Sequence, residues 1–129
     1  MDILREQITR WIRQAEHDLE SAGKLVEHEA FDHAAFLAQQ ATEKSLKAAW
    51  IKRLNQTTPR THDIIRLAID LSAPKNVVDA ARTMASDYMA TRYPDLGEEI
   101  PADSYTRDDA QERLEAATLV LNWAREQLS

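Results

Sequence analysis

The 129-residue sequence has no cysteine, two glycines and four prolines. Without cysteine there is no disulfide, no thiolate metal ligand and no cysteine nucleophile, a pattern that fits a reducing compartment; the expected location is the cytoplasm. Scarce glycine and proline leave few points at which a helix must stop. No phosphate-binding loop, dinucleotide-type glycine pattern or nucleophile elbow is present. Long apolar runs are missing too. No segment approaches the ~20 apolar residues of a membrane span, and the opening MDILREQITR carries charges where a leader has its apolar core, so a soluble, unprocessed protein is expected.

What the chain does have is Ala, Leu, Glu, Gln, Arg and Lys, the residue types that lose least entropy in a helix. The spacing of its apolar residues predicts four long helices. The first covers about Ile3 to Glu27, with Leu4, Ile8, Trp11, Ile12, Ala15, Leu19, Ala22 and Val26 three or four apart. Gly23 inside it is expected where another helix approaches closely, or near the fraying end of the helix. Asp32 is the expected N-cap of a second helix, about His33 to Asn55, with Phe31 and Phe36 as a hydrophobic staple. Six alanines (34, 35, 38, 41, 48 and 49) make that helix small-sided. A short third helix, His62 to Leu71, starts after Pro59 with Thr61 as cap. The fourth runs from about Pro74 to Thr91 and stops before Pro94. Asp95 to Tyr105 reads as the longest irregular stretch, and Thr106 with Asp109 as a capping box opens the last helix, Arg107 to about Gln127. The fold class is therefore all-α: one domain over residues 1–129, an up-down helical bundle of four long helices plus one short inserted helix. Broad stripes on the second and last helices point to a homodimer.

The net charge of −6 is unevenly spread. Between Lys44 and Arg66 six basic residues face a single acid, so this stretch carries +5 and the remainder −11. An anionic ligand is expected to be drawn there first. Gln40, Lys44 and Lys47 lie one turn apart on the second helix and can jointly contact a phosphate and a base edge; the plainer alternative is a solvated face, with Glu43 and Lys47 a surface ion pair worth ~0.3 kcal/mol. His62 and Asp63 stand beside Arg60 at a helix start, where backbone N–H groups favour anions, although capping explains a Thr-x-Asp start equally well. Arg92, Tyr93 and Asp95 flank the proline that ends a helix. No two histidines lie three or four apart, so neither a metal site nor a cofactor is expected.

In order and spacing, three pieces of the chain resemble the HEPN (higher eukaryotes and prokaryotes nucleotide-binding) domain family. They are Ala35-x-x-Ala-Gln-Gln-Ala-Thr-Glu-Lys-Ser-Leu-Lys-Ala, then Thr61-His62-Asp63, then Arg92-Tyr93-Pro94-Asp95 with Tyr105-Thr106. The resemblance spans Trp11 to Trp123. It implies a dimerising bundle of four or five helices and one of three roles: a nucleotide-binding module, a partner of a minimal nucleotidyltransferase in a toxin–antitoxin-like pair, or a metal-independent endoribonuclease. The nucleases carry an Arg and a His separated by four to six residues near the start of the final long helix. No His follows Arg92, Arg107 or Arg113 here. Arg10 and His17 have that spacing, but in the first helix. The implied function is a non-catalytic module binding a nucleotide or RNA through Gln40, Lys44, Lys47, His62, Asp63, Arg92 and Asp95. A nuclease with a relocated Arg/His pair is the alternative.

Overall fold

A computed structural model describes residues 2–129, which form seven helices: α1 (Ile3–Glu27), α2 (Phe31–Leu54), α3 (Ile64–Asp70), α4 (Lys75–Met84), α5 (Asp87–Ala90), α6 (Pro101–Ser104) and α7 (Arg107–Leu128). The all-α bundle expected from the sequence is what forms. Three of its helices are long, and the fourth expected long helix is divided into α4 and α5. Its backbone stays right-handed through Ala85 and Ser86, but Ala85 N–H reaches back only to the Arg82 carbonyl, at 3.4 Å. This break turns the Asp87 side chain fully inward. The loop expected from Asp95 to Tyr105 likewise contains one helical turn, α6, with Pro101 at its start.

Helix ends account for the other differences. After α1 the chain closes with Ala30 N–H on the Leu25 carbonyl at 2.8 Å and Glu29 N–H on Val26 at 3.0 Å, with Glu29 left-handed at φ 62. That is a Schellman closure, and it delivers the chain straight into α2 at Phe31. Asp32 is therefore not the N-cap. It lies in the first turn, where the helix dipole favours its charge, and Ala30 holds the cap position without a side-chain bond. The proposed staple dissolves as well, since Phe31 is helical and packs against Val26, Ala34 and Ala110. Asp63, not Thr61, caps α3, accepting from Arg66 N–H at 3.0 Å, while the Thr61 hydroxyl accepts from Asp63 N–H at 3.1 Å. The Thr106–Asp109 capping box forms as expected.

Helix α2 is the axis of the bundle. α1, α3, α4, α5, α6 and α7 all contact it, and all six of its named alanines are completely buried. Small side chains let the surrounding helices approach closely. The core forms where Leu46 and Ala49 meet Ile64, Leu67, Val77, Met84 and Val120. The breadth of α2's apolar surface is thus accounted for within one chain.

Gly23 does not mark a close approach: a Cβ built there meets nothing within 4 Å, and its φ is not positive. Gly23→Ala is expected to raise stability by about 1 kcal/mol. In thermal denaturation that is a Tm increase of roughly 3–5 °C for a chain of this size; a lower Tm would mean that the glycine is required.

Candidate functional site

Burying α2 on every side also buries polar residues in its middle. Gln39, Thr42, Glu43, Ser45 and Lys47 are all buried. Thr42 and Ser45 satisfy their hydroxyls on carbonyls four residues back. Glu43 has no such internal solution, and an isolated carboxylate in a dry interior is very costly. Lys47, one turn on, donates to it at 3.0 Å, and Gln39, one turn back, reaches it at 3.5 Å. Glu43 and Lys47 are therefore a buried pair, with side chains only 6% and 7% exposed, and the surface value given above does not apply to them.

The third partner of Glu43 comes from another element. Asn55, left-handed at φ 52, ends α2, and the strap that follows carries His62 back over it. His62 Nδ1 lies 3.1 and 3.2 Å from the two Glu43 oxygens. A carboxylate only accepts, so Nδ1 carries the proton and Nε2 is the free position on a half-exposed ring. The imidazole stacks on Tyr88, with centroids 3.9 Å apart and planes 16° apart. Arg92, one turn further on, places its guanidinium carbon 4.5 Å from the centre of the same Tyr88 ring and 5.4 Å from Tyr93. A solvated cation, an oriented imidazole and an aromatic platform thus meet at one spot.

Tyr88 and Arg92 are held in place by a second buried carboxylate. Asp87 Oδ1 accepts from the Tyr105 hydroxyl at 2.7 Å, and Oδ2 accepts from Arg113 Nε at 2.9 Å. Burial raises the Tyr105 pKa above its ordinary range, and its bond to Asp87 raises it further. Burial by itself would pull Arg113 down, but the hydrogen bond and charge of Asp87 outweigh it, so Arg113 moves up. The triad ties α5 to α7, and with it the wall of the site.

Of the residues expected from the sequence, Lys47, His62 and Arg92 come together. Gln40 is adjacent, donating to Gln39 at 2.8 Å. Lys44 is held in an ion pair with the buried Asp18 of α1, whose second oxygen accepts from Gln14 at 2.9 Å. Lys44 and Lys47 both turn towards α1, each tied to a different buried carboxylate. Asp63 is occupied as the α3 cap, and Asp95 lies exposed on the loop after α5, with no hydrogen bond or ion pair among the described residues. Glu43 and Tyr88 were missed as site residues; the clue was an acid centred between Gln39 and Lys47 on a helix whose other sides are alanine. Nothing in the sequence distinguishes Asp87 or Arg113. Among the described residues no three His, Asp or Glu side chains converge as a metal site requires, and no helix is long and apolar enough to cross a membrane.

The HEPN domain family model matches residues 8–127 of this chain. The chain belongs to the HEPN domain family. It is 30% identical over 125 residues to "Putative toxin MJ1304" of Methanocaldococcus jannaschii, covering 86% of this chain and 81% of that protein. The crystal structure of TT1696 from Thermus thermophilus superposes with a TM-score of 0.85 at 32% identity, over 98% of this chain and 99% of that one. That of ST0689, described as an archaeal HEPN homologue, gives 0.82 at 32% identity, over 95% and 98%.

The raised Tyr105 pKa has a measurable consequence. A phenol whose folded pKa exceeds its unfolded value of about 10 stabilises fully below that pH and loses its contribution as pH rises further. Between about pH 9 and pH 11.5, the wild-type Tm is expected to fall more steeply than that of Tyr105→Phe. Parallel curves would show that the Tyr105–Asp87 bond contributes nothing to alkaline stability.

Proposed function

We propose that this HEPN protein is a nucleotide- or nucleic-acid-binding module of a toxin–antitoxin-type pair, acting as a homodimer with a minimal nucleotidyltransferase as partner. One observation carries the binding role: His62, fixed by the buried Glu43, stacks on Tyr88 beside the solvated Arg92. The Arg92 guanidinium supplies hydrogen bonds to a phosphate, the unprotonated Nε2 of His62 accepts from a hydroxyl or base N–H, and the exposed Tyr93 ring suits a base. Similarity to the M. jannaschii protein named "Putative toxin MJ1304" supports the toxin–antitoxin setting. For the dimer, the support is the run of exposed apolar side chains at Met89, Tyr93, Leu96 and Ile100.

His62 and Arg92 are the residues to test, because both are exposed. Removing Lys47 instead would strand a buried carboxylate and confound binding with folding. In a thermal-shift assay against ribonucleoside mono-, di- and triphosphates, wild-type protein is expected to gain several degrees with at least one of them. His62→Ala/Arg92→Ala should lose that gain while keeping its ligand-free Tm within a few degrees. An unchanged ligand shift in the double variant would move the site elsewhere.

A second reading, metal-independent phosphodiester cleavage, is favoured by the free Nε2. A carboxylate that holds Nδ1 orients an imidazole as a general base, and Arg92 is the nearby cation for developing charge. Under this reading, wild-type protein cleaves total RNA in the presence of EDTA, and His62→Ala lowers the rate by at least about 100-fold. Intact RNA after prolonged incubation with wild-type protein would leave the binding role alone.

A further inference from the structure

The exposed side of α1 carries cations that the site above does not use. Thr9, Arg10, Arg13, Gln14 and His17 line an open groove of about 480 Å³. From Arg10 to His17 the helix rises about 10 Å, enough for roughly two to three consecutive phosphates of a strand. Among the described residues Arg13 and His17 have no carboxylate partner. Arg10 has only Glu6, at 3.6 Å with both side chains more than 60% exposed, a contact that solvent screens and a ligand can displace.

The remaining acids of this face are already occupied. Glu16 is held by Arg125 through two bonds of 3.0 and 2.8 Å, Asp18 by Lys44 and Gln14, and Glu20 by Lys24 at 3.3 Å. A chain of net charge −6 therefore presents a locally basic strip here. Beside the strip a second cavity of about 390 Å³ is lined by Gln7, Arg10, Trp11, Gln14 and Lys44. With Lys44 and Gln14 held on Asp18, it offers the Trp11 indole, the Gln7 amide and the Arg10 guanidinium, the means by which a nucleobase is stacked and hydrogen-bonded. Lys47 joins this cavity to the His62 cluster, with its ammonium 5.3 Å from the Trp11 ring centre and 3.0 Å from Glu43.

From this arrangement we infer that α1 is a rail for single-stranded nucleic acid, with phosphates on Arg10, Arg13 and His17 and one base over Trp11, leading to the His62–Arg92 cluster. The inference rests on the binding role given to that cluster only for where the strand ends. It makes the ligand a strand rather than a free mononucleotide. An acidic peptide would use the arginines but not the indole–amide cavity.

The test is fluorescence anisotropy with a labelled 15-nucleotide single-stranded RNA of mixed sequence, titrated between 50 and 200 mM salt. Arg10→Ala/Arg13→Ala removes two exposed side chains, so its melting curve serves as the folding control. Its affinity should fall at least tenfold at low salt, and its log–log salt slope should shrink by about 1.4, or ~0.7 for each lost phosphate contact. Any thermal shift from mononucleotides should persist in this variant, whereas His62→Ala/Arg92→Ala should show the opposite pattern. A missing mononucleotide shift combined with an intact α1 salt effect would remove the cluster's role and leave the rail. Unchanged affinity and slope in Arg10→Ala/Arg13→Ala would overturn the rail. So would absence of RNA binding by wild-type protein, or equally tight binding of a polyglutamate peptide of the same charge.

Discussion

A carboxylate inside a helix that is surrounded on all sides is the constraint on which the rest depends. Glu43 sits where α2 is packed by its neighbours, and the cost of an unpaired charge there amounts to several kcal/mol. The fold meets this locally with Lys47 and Gln39, and non-locally with His62. The non-local partner has the larger structural consequence. It requires the strap after Asn55 to return over α2, and it fixes the tautomer and plane of an imidazole whose other nitrogen faces water. An electrostatic requirement of the core thereby becomes an oriented group at the surface.

Asp87 does the same at the opposite wall. Its burial accompanies the parting of α4 and α5 at Ala85, and Tyr105 and Arg113 converge on it. Tyr88, the next residue, then receives the His62 ring, and Arg92 follows one turn later. Two buried anions, each satisfied from a separate part of the chain, thus determine the two sides of one site.

Helix periodicity is legible because it depends only on neighbours three and four residues away, and α1 and α7 were bounded to within a residue or two on that basis. Helix ends were less legible. The αL closures at Glu29 and Ser72 use residues that carry no glycine signal, so Asp32 and Thr61 looked like caps while backbone closure and Asp63 did the capping. The break between α4 and α5 was invisible for a different reason: it serves a pairing between Asp87 and Arg113, 26 residues apart, and no local pattern encodes that. For the site, His62, Lys47 and Arg92 were legible as types in suggestive places. What each one touches was not, because side chains three residues apart on a fully surrounded helix point at different neighbours.

The charge distribution shows the same limit and indicates where a ligand is met. Counting charges makes the Lys44–Arg66 stretch the basic part of the chain, yet half of its six cations are consumed by the fold: Lys44 is paired with Asp18 and Lys47 with Glu43, and Arg53 donates to the Leu71 carbonyl at 2.8 Å. Cations whose heads stand in water without a buried counter-charge include Arg10 and Arg13 on α1, and Arg92 over Tyr88. All three are arginines, whose planar, weakly hydrated guanidinium suits both bidentate phosphate bonding and stacking on aromatic faces. In this HEPN protein Lys44 and Lys47 of α2 are held by buried carboxylates, whereas these arginines stand outside the core.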